Sequence, residues 1–186
     1  MNPNCTSCAL RLFNDKAYNL HGEGCNYLGN FLIISNLDNN AYKNKSIEFS
    51  EQMKIINDIC ISSTGGCKIT ELCYLTPLIK CREIGCGADE TAIKNCINNL
   101  AEEFKQYRPQ RVMITGSAVS RFLVCEIKEN LDTIWVSKNN IQYFVNYSPL
   151  VKYYDADKFE VFKQHLIKWI YSIKTNNFSQ YEIKYI

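Results

Sequence analysis

The chain has 186 residues, 46% of them hydrophobic and 12% aromatic. That excludes a disordered polymer, and one domain of this length buries roughly 70% of the surface its unfolded form exposes. With 21 Lys+Arg against 19 Asp+Glu, the charge balance excludes the strong global field of a highly basic nucleic-acid-binding domain, so any DNA contact must be local.

In chain order, the apolar run at residues 31–35 (FLIIS), bounded by Gly29 and Asn30 before it and by a polar stretch after it, predicts a buried strand. Residues 50–61 carry Met53, Ile56 and Cys60 at helical spacing, and Gly65 and Gly66 break the pattern before a second strand within residues 72–79. Residues 89–107 set Ile93, Cys96 or Ile97, Leu100 and Phe104 on one face of a helix that Arg108 and Pro109 close. A third strand at 112–115 turns at Gly116 into a helix at 117–127, with Ser117 as its N-cap. A fourth strand follows at 141–147, then an amphipathic helix at 156–174 bearing Phe159, Phe162, Leu166, Trp169 and Ile170. Strands alternating with helices predict an α/β fold, a three-layer α/β/α arrangement around a central four-stranded parallel sheet, with ligands beyond the strands' carboxyl ends. Residues 1–186 read as a single domain and 175–186 as a C-terminal tail. In that tail Tyr181, Ile183 and Tyr185 alternate with polar residues, as in a strand that adds to its own sheet edge or docks on a protein partner.

No apolar run approaches the roughly 18 residues of a membrane span, and the opening MNPNCTSC lacks the charged-then-apolar order of a signal peptide. The expectation is an intracellular protein with no membrane partner. Ten cysteines in such a setting point to ligands or buried thiols rather than disulfides. Cys5 and Cys8 form a C-x-x-C pair, while Cys81 and Cys96 flank the entrance to the 89–107 helix. Four thiolates suit zinc or an iron–sulfur cluster, and spacing alone does not choose between them. Cys25, Cys60, Cys73 and Cys125 sit in or beside apolar runs and read as core thiols. Cys67 and Cys86 fit either role, and Cys86 competes with Cys81 and Cys96 as a ligand.

The segments CTSCALR, LHGEGCN, YLTPLIKCRE, ETAIKNCINNL and RPQRVMITGSAVSRFL, in that order, resemble the iron–sulfur uracil-DNA glycosylases, the family 4 and 5 type. The resemblance spans about residues 5–151. It implies the uracil-DNA glycosylase-like form of the α/β/α fold, and a [4Fe–4S] cluster on Cys5, Cys8, Cys81 and Cys96, with zinc as the alternative metal. It also sets out chemistry this chain departs from. Glycosylases flip a base, hold its edge, stack an aromatic on it and stabilise charge as the glycosidic bond breaks.

Where the family carries a Gly-Glu-(Ala/Gly)-Pro-Gly loop after the first strand, this chain has Ser35, Asn36, Leu37, Asp38 and Asn39. The asparagine that reads uracil aligns with Pro77, which has no side-chain hydrogen bond to offer. The histidine of the late His-Pro motif aligns with Ser148, which cannot take an imidazole's positive charge. Phe49 matches the aromatic that stacks on the base and fits a core position equally well. Asp38 is the spare acid near the expected pocket, either activating water or serving as a turn residue among asparagines.

The expectation is therefore a catalytically inactive, DNA-associated accessory or scaffold factor in replication, repair or transcription; the alternative is an active glycosylase with a remodelled pocket. Lys43, Lys45, Lys80, Arg82 and Arg121 are the candidate phosphate contacts. The Asn/Lys/Ile/Tyr-heavy composition fits an A·T-rich genome, and so the cytoplasm of a bacterium or a virus-infected cell.

Overall fold

The computed structural model describes residues 20–26, 28–35, 37–81, 90–116, 131–137 and 139–186. The expected helix at 117–127 lies outside them. Five α-helices pack on a seven-stranded mixed sheet among the described residues. The strands are β1 (Glu23–Gly24), β2 (Asn30–Ile34), β3 (Tyr74–Pro77), β4 (Arg111–Thr115), β5 (Thr133–Val136), β6 (Gln142–Asn146) and β7 (Glu182–Tyr185). The helices are α1 (Asn39–Asn44), α2 (Glu51–Thr64), α3 (Ile69–Leu72), α4 (Glu90–Tyr107) and α5 (Ala156–Thr175).

Strand order across the sheet is β1-β3-β2-β4-β6-β5-β7. The four strands expected from the sequence appear as β2, β3, β4 and β6, and they pair in parallel. The expected four-stranded sheet is nevertheless too small. Strand β1 adds antiparallel to β3, β5 adds antiparallel to β6, and β7 runs parallel to β5. Each extra strand is short, and of the three only β5 is buried throughout, so backbone pairing specifies them more than any long apolar run does. Gly24 shows why β1 stays close to its neighbour: at φ +101° its missing Cβ would sit 2.6 Å from the Cys73 carbonyl oxygen.

Side-chain alternation sorts the strands onto two faces. Phe31, Ile33, Val112 and Ile114 pack with Ile93, Cys96 and Leu100 of α4. Leu32, Ile34, Leu75, Met113 and Phe144 pack on the other face with Met53, Ile56 and Cys60 of α2 and with Phe162, Leu166 and Trp169 of α5. Every residue of β2 is buried, as expected of a central parallel strand covered on both sides. Each large apolar side chain taken fully out of water contributes roughly 1.5–3 kcal/mol before entropy is counted. The 3-10 helix Pro149–Tyr153 links β6 to α5, whose N-cap Asp155 accepts from the Lys158 amide.

Candidate functional site

The carboxyl ends of β2, β4 and β6 meet at Gly116. Its φ of +88° favours glycine, and a Cβ there would lie 3.8 Å from Ser35 Oγ and 3.9 Å from Ser148 Cβ. The Gly116 amide donates to the Asn146 carbonyl at 2.9 Å, fixing the turn against the end of β6. Beside this turn opens a cavity of ≈ 230 Å³ lined by residues including Gly116, Asn146, Tyr147, Ser148, Tyr154 and Lys158. It lies where ligands of parallel sheets bind. Being smaller than the roughly 300–1,000 Å³ of typical cofactor sites, it suits a group the size of one base or one phosphate.

The polar groups around it are largely committed. Ser148 caps the 3-10 helix by accepting from the Leu150 amide at 3.3 Å. Asn146 is buried, donating to Phe162 O at 3.1 Å and accepting from the Tyr147 amide at 2.9 Å. Lys158 pairs with Asp155 at 2.8 Å, and this hydrogen-bonded carboxylate raises the ammonium's pKa. Tyr154 is 72% exposed at the rim.

Asp38 does not stand ready as a base. One carboxylate oxygen accepts from the amides of Asn40 and Ala41 at 2.9 and 3.3 Å, capping α1, and the other accepts from the Glu51 amide at 2.5 Å at the start of α2. Pro77 is the last residue of β3 and is buried. Phe49 ends the 3-10 turn Ile47–Phe49 and is 50% exposed, so the core alternative for it is set aside. Asn36 lies outside the described residues.

Lys80 corrects the expectation of a phosphate contact: it is 1% exposed. Its Nζ donates to both Glu103 carboxylate oxygens at 2.8 and 2.9 Å and to Thr76 Oγ1, while Thr76 donates to Glu103 Oε2 at 2.7 Å. Burial lowers the Lys80 pKa against the opposing pull of Glu103. No sequence signal marks this pair, because Glu103 sits 23 residues away on α4. Lys43 and Lys45 are exposed at the end of α1, with Lys45 in the left-handed C-cap conformation. Arg82 and Arg121 lie outside the described residues.

Among the expected metal ligands, Cys81 and Cys96 are described and both are buried. Cys81 directly follows Lys80, and Cys96 on α4 lies within electrostatic reach of the Lys80 ammonium. The Leu20 amide donates to the Lys80 carbonyl at 2.9 Å, so the described chain begins beside Cys81. Both thiols are soft donors of the kind an iron–sulfur or zinc site takes. Cys5, Cys8 and Cys86 lie outside the described residues, and among those described no three His, Cys, Asp or Glu gather as a metal site would require.

Other cysteines have a packing role: Cys60 and Cys73 are fully buried in the main core. Sequence reasoning missed Glu23, whose carboxylate accepts from Ser46 Oγ at 2.9 Å and the Ile47 amide at 3.0 Å and so anchors the turn carrying Phe49. The Gly residues on either side of it were the available signal. No helix among the described residues is long and apolar enough to cross a membrane. No protein-family model matches the chain, and no curated protein matches it.

Proposed function

We propose that this chain is a DNA-associated accessory protein of the iron–sulfur uracil-DNA glycosylase type, in which the three-layer fold is kept and base excision is lost. The observation that carries this reading is the commitment of Asp38. Its two oxygens hold three backbone amides, so the acid nearest the expected pocket is spent on helix capping instead of water activation. Pro77 and Ser148 support the same reading, since one offers no hydrogen bond to a base edge and the other already serves the Leu150 amide. The cavity at the strand ends remains as a binding feature, with exposed Phe49, Lys43 and Lys45 as contacts a nucleic-acid strand would use through stacking and charge.

Cys5, Cys8, Cys81 and Cys96 would hold a [4Fe–4S] cluster, whose contribution is to tie the N-terminal segment to β3 and α4. Metal-binding free energy then becomes folding free energy.

A single-turnover assay on uracil-containing single- and double-stranded DNA tests the reading, paired with DNA binding measured across a salt series. The expected result is no cleavage above the protein-free control, with affinity that falls as salt rises and weakens in Lys43→Glu and Lys45→Glu. Base excision well above the control overturns the non-catalytic reading in favour of a remodelled, active pocket. Absence of salt-dependent binding removes the DNA association.

A further inference from the structure

Strand β7 closes the sheet order on one side, and among the described residues nothing pairs beyond it. The Glu182 amide donates to Asp132 O and the Ile186 amide to Val136 O, so the even-numbered residues turn their backbone groups toward β5. The N–H and C=O of Ile183 and Tyr185 therefore face the open edge, because successive residues of a strand point their backbone groups in opposite directions. These two residues are 52% and 80% exposed. Their register partners are Ile134 and Val136, core residues of the face that α5 covers. Ile183 and Tyr185 thus extend an apolar face past its helical cover. An apolar edge with unused backbone donors is a template for further strand pairing.

We propose that the partner of this edge is a second copy of the same chain, joined β7 to β7 in antiparallel register about a two-fold axis at Ile183. Three features of the strand agree on that register. Ile183 meets its own counterpart, and both turn N–H and C=O outward, so they form a hydrogen-bonded pair. Glu182 then falls opposite Lys184 of the second copy, and Lys184 opposite Glu182. These are the non-hydrogen-bonded positions, where Cα atoms approach to about 4.5 Å and side chains interact most closely.

Tyr181 falls opposite Tyr185 on the apolar face. Within one chain, Glu182 and Lys184 already pair at 3.3 Å while 58% and 43% exposed, a weak contact that exchanges readily for two across the axis. The strand is thus self-complementary in backbone, charge and apolar surface, which is what a two-fold interface requires. With only the five residues Tyr181 to Tyr185 of each chain facing the other, the interface is small, so the dimer is weak, with a Kd on the order of micromolar. It does not depend on the DNA-associated reading.

Sedimentation of the full chain over a concentration series tests it. The wild type should show a monomer–dimer equilibrium. Glu182→Lys and Lys184→Glu should each weaken dimerisation about ten-fold by setting like charges opposite one another, and the double exchange should restore it. Of the backbone hydrogen-bonding groups, Ile183→Pro removes only an outward-facing N–H, which a strand edge tolerates. It should abolish the dimer while keeping a cooperative melting transition. The proposal fails if the chain stays monomeric to its solubility limit, as it would were the edge covered by another segment of the same chain. It also fails if Ile183→Pro folds and still dimerises, if the double exchange dimerises no better than the single ones, or if only foreign extended peptides pair with the edge.

Discussion

A lysine with 1% exposure keeps its charge only while a partner compensates the lost hydration, and at Lys80 that partner is the carboxylate of Glu103, braced by Thr76. Lys80→Met should cost about 3–5 kcal/mol, because it leaves the Glu103 carboxylate buried without its counter-charge; adding Glu103→Leu should recover most of the loss. Urea unfolding of the two variants checks both. Cys60 gives the fold a pH dependence. Burial pushes its thiol up from 9.0 to about 11, with nearby Cys67 adding to the shift. The folded chain therefore holds this proton more tightly than the unfolded chain does. The contribution is fully present below pH 9 and is lost as pH rises through 11. Cys60→Ala should lower the melting temperature at neutral pH through the cavity it leaves, yet flatten the decline between those two values. A melting series across the alkaline range reads both effects. From the sequence, Cys60 was legible as a core thiol because it sits at helical spacing with Met53 and Ile56. Lys80 was not, since a lysine beside a strand end looks the same whether it faces solvent or an acid that only tertiary folding delivers.

At the scale of elements, one carboxylate organises two helices. Asp38 caps α1 with one oxygen and takes the first amide of α2 with the other, so Asp38→Ala should destabilise the fold by about 1–3 kcal/mol, and Asp38→Asn by less. Chemical denaturation measures the difference. Retention of DNA affinity in Asp38→Asn would separate this capping role from any part in binding. Helices α2, α4 and α5 were legible because their apolar residues recur at helical period over 14 or more positions. Helices α1 and α3 were hidden, for each is six residues or shorter and is held by local caps. Strand β5 was missed although its Thr-Ile-Trp-Val run is rich in β-branched and aromatic residues. The turn through Asn140, at φ +60°, was the signal that joins it to β6 as a hairpin. The candidate site was legible as a place, the carboxyl end of the parallel strands, and as the departures of Pro77 and Ser148 from the pattern the chain resembles. That Asp38 is occupied rather than idle depends on the start of α2, 13 residues away, and could be seen only in three dimensions.

For the whole molecule, the sheet gathers every described helix around two apolar clusters, and the proposed cluster would bind the N-terminal segment to this frame at Cys81 and Cys96. Cys81→Ala and Cys96→Ala should each abolish the visible absorption of an iron–sulfur centre and lower the melting temperature. Iron and sulfide analysis of anaerobically prepared protein checks the first outcome, and stoichiometric zinc in the same sample would reassign the metal. The hairpin between β5 and β6 has a consequence at this scale. It reverses chain direction, so β5 and β7 run opposite to β3, β2, β4 and β6, and their carboxyl ends lie away from the strand-end cavity. A two-fold axis through β7 turns the second sheet end over end. The two cavities of the dimer then open toward opposite poles, a geometry that bridges two separate strands and cannot clamp a single one from both sides.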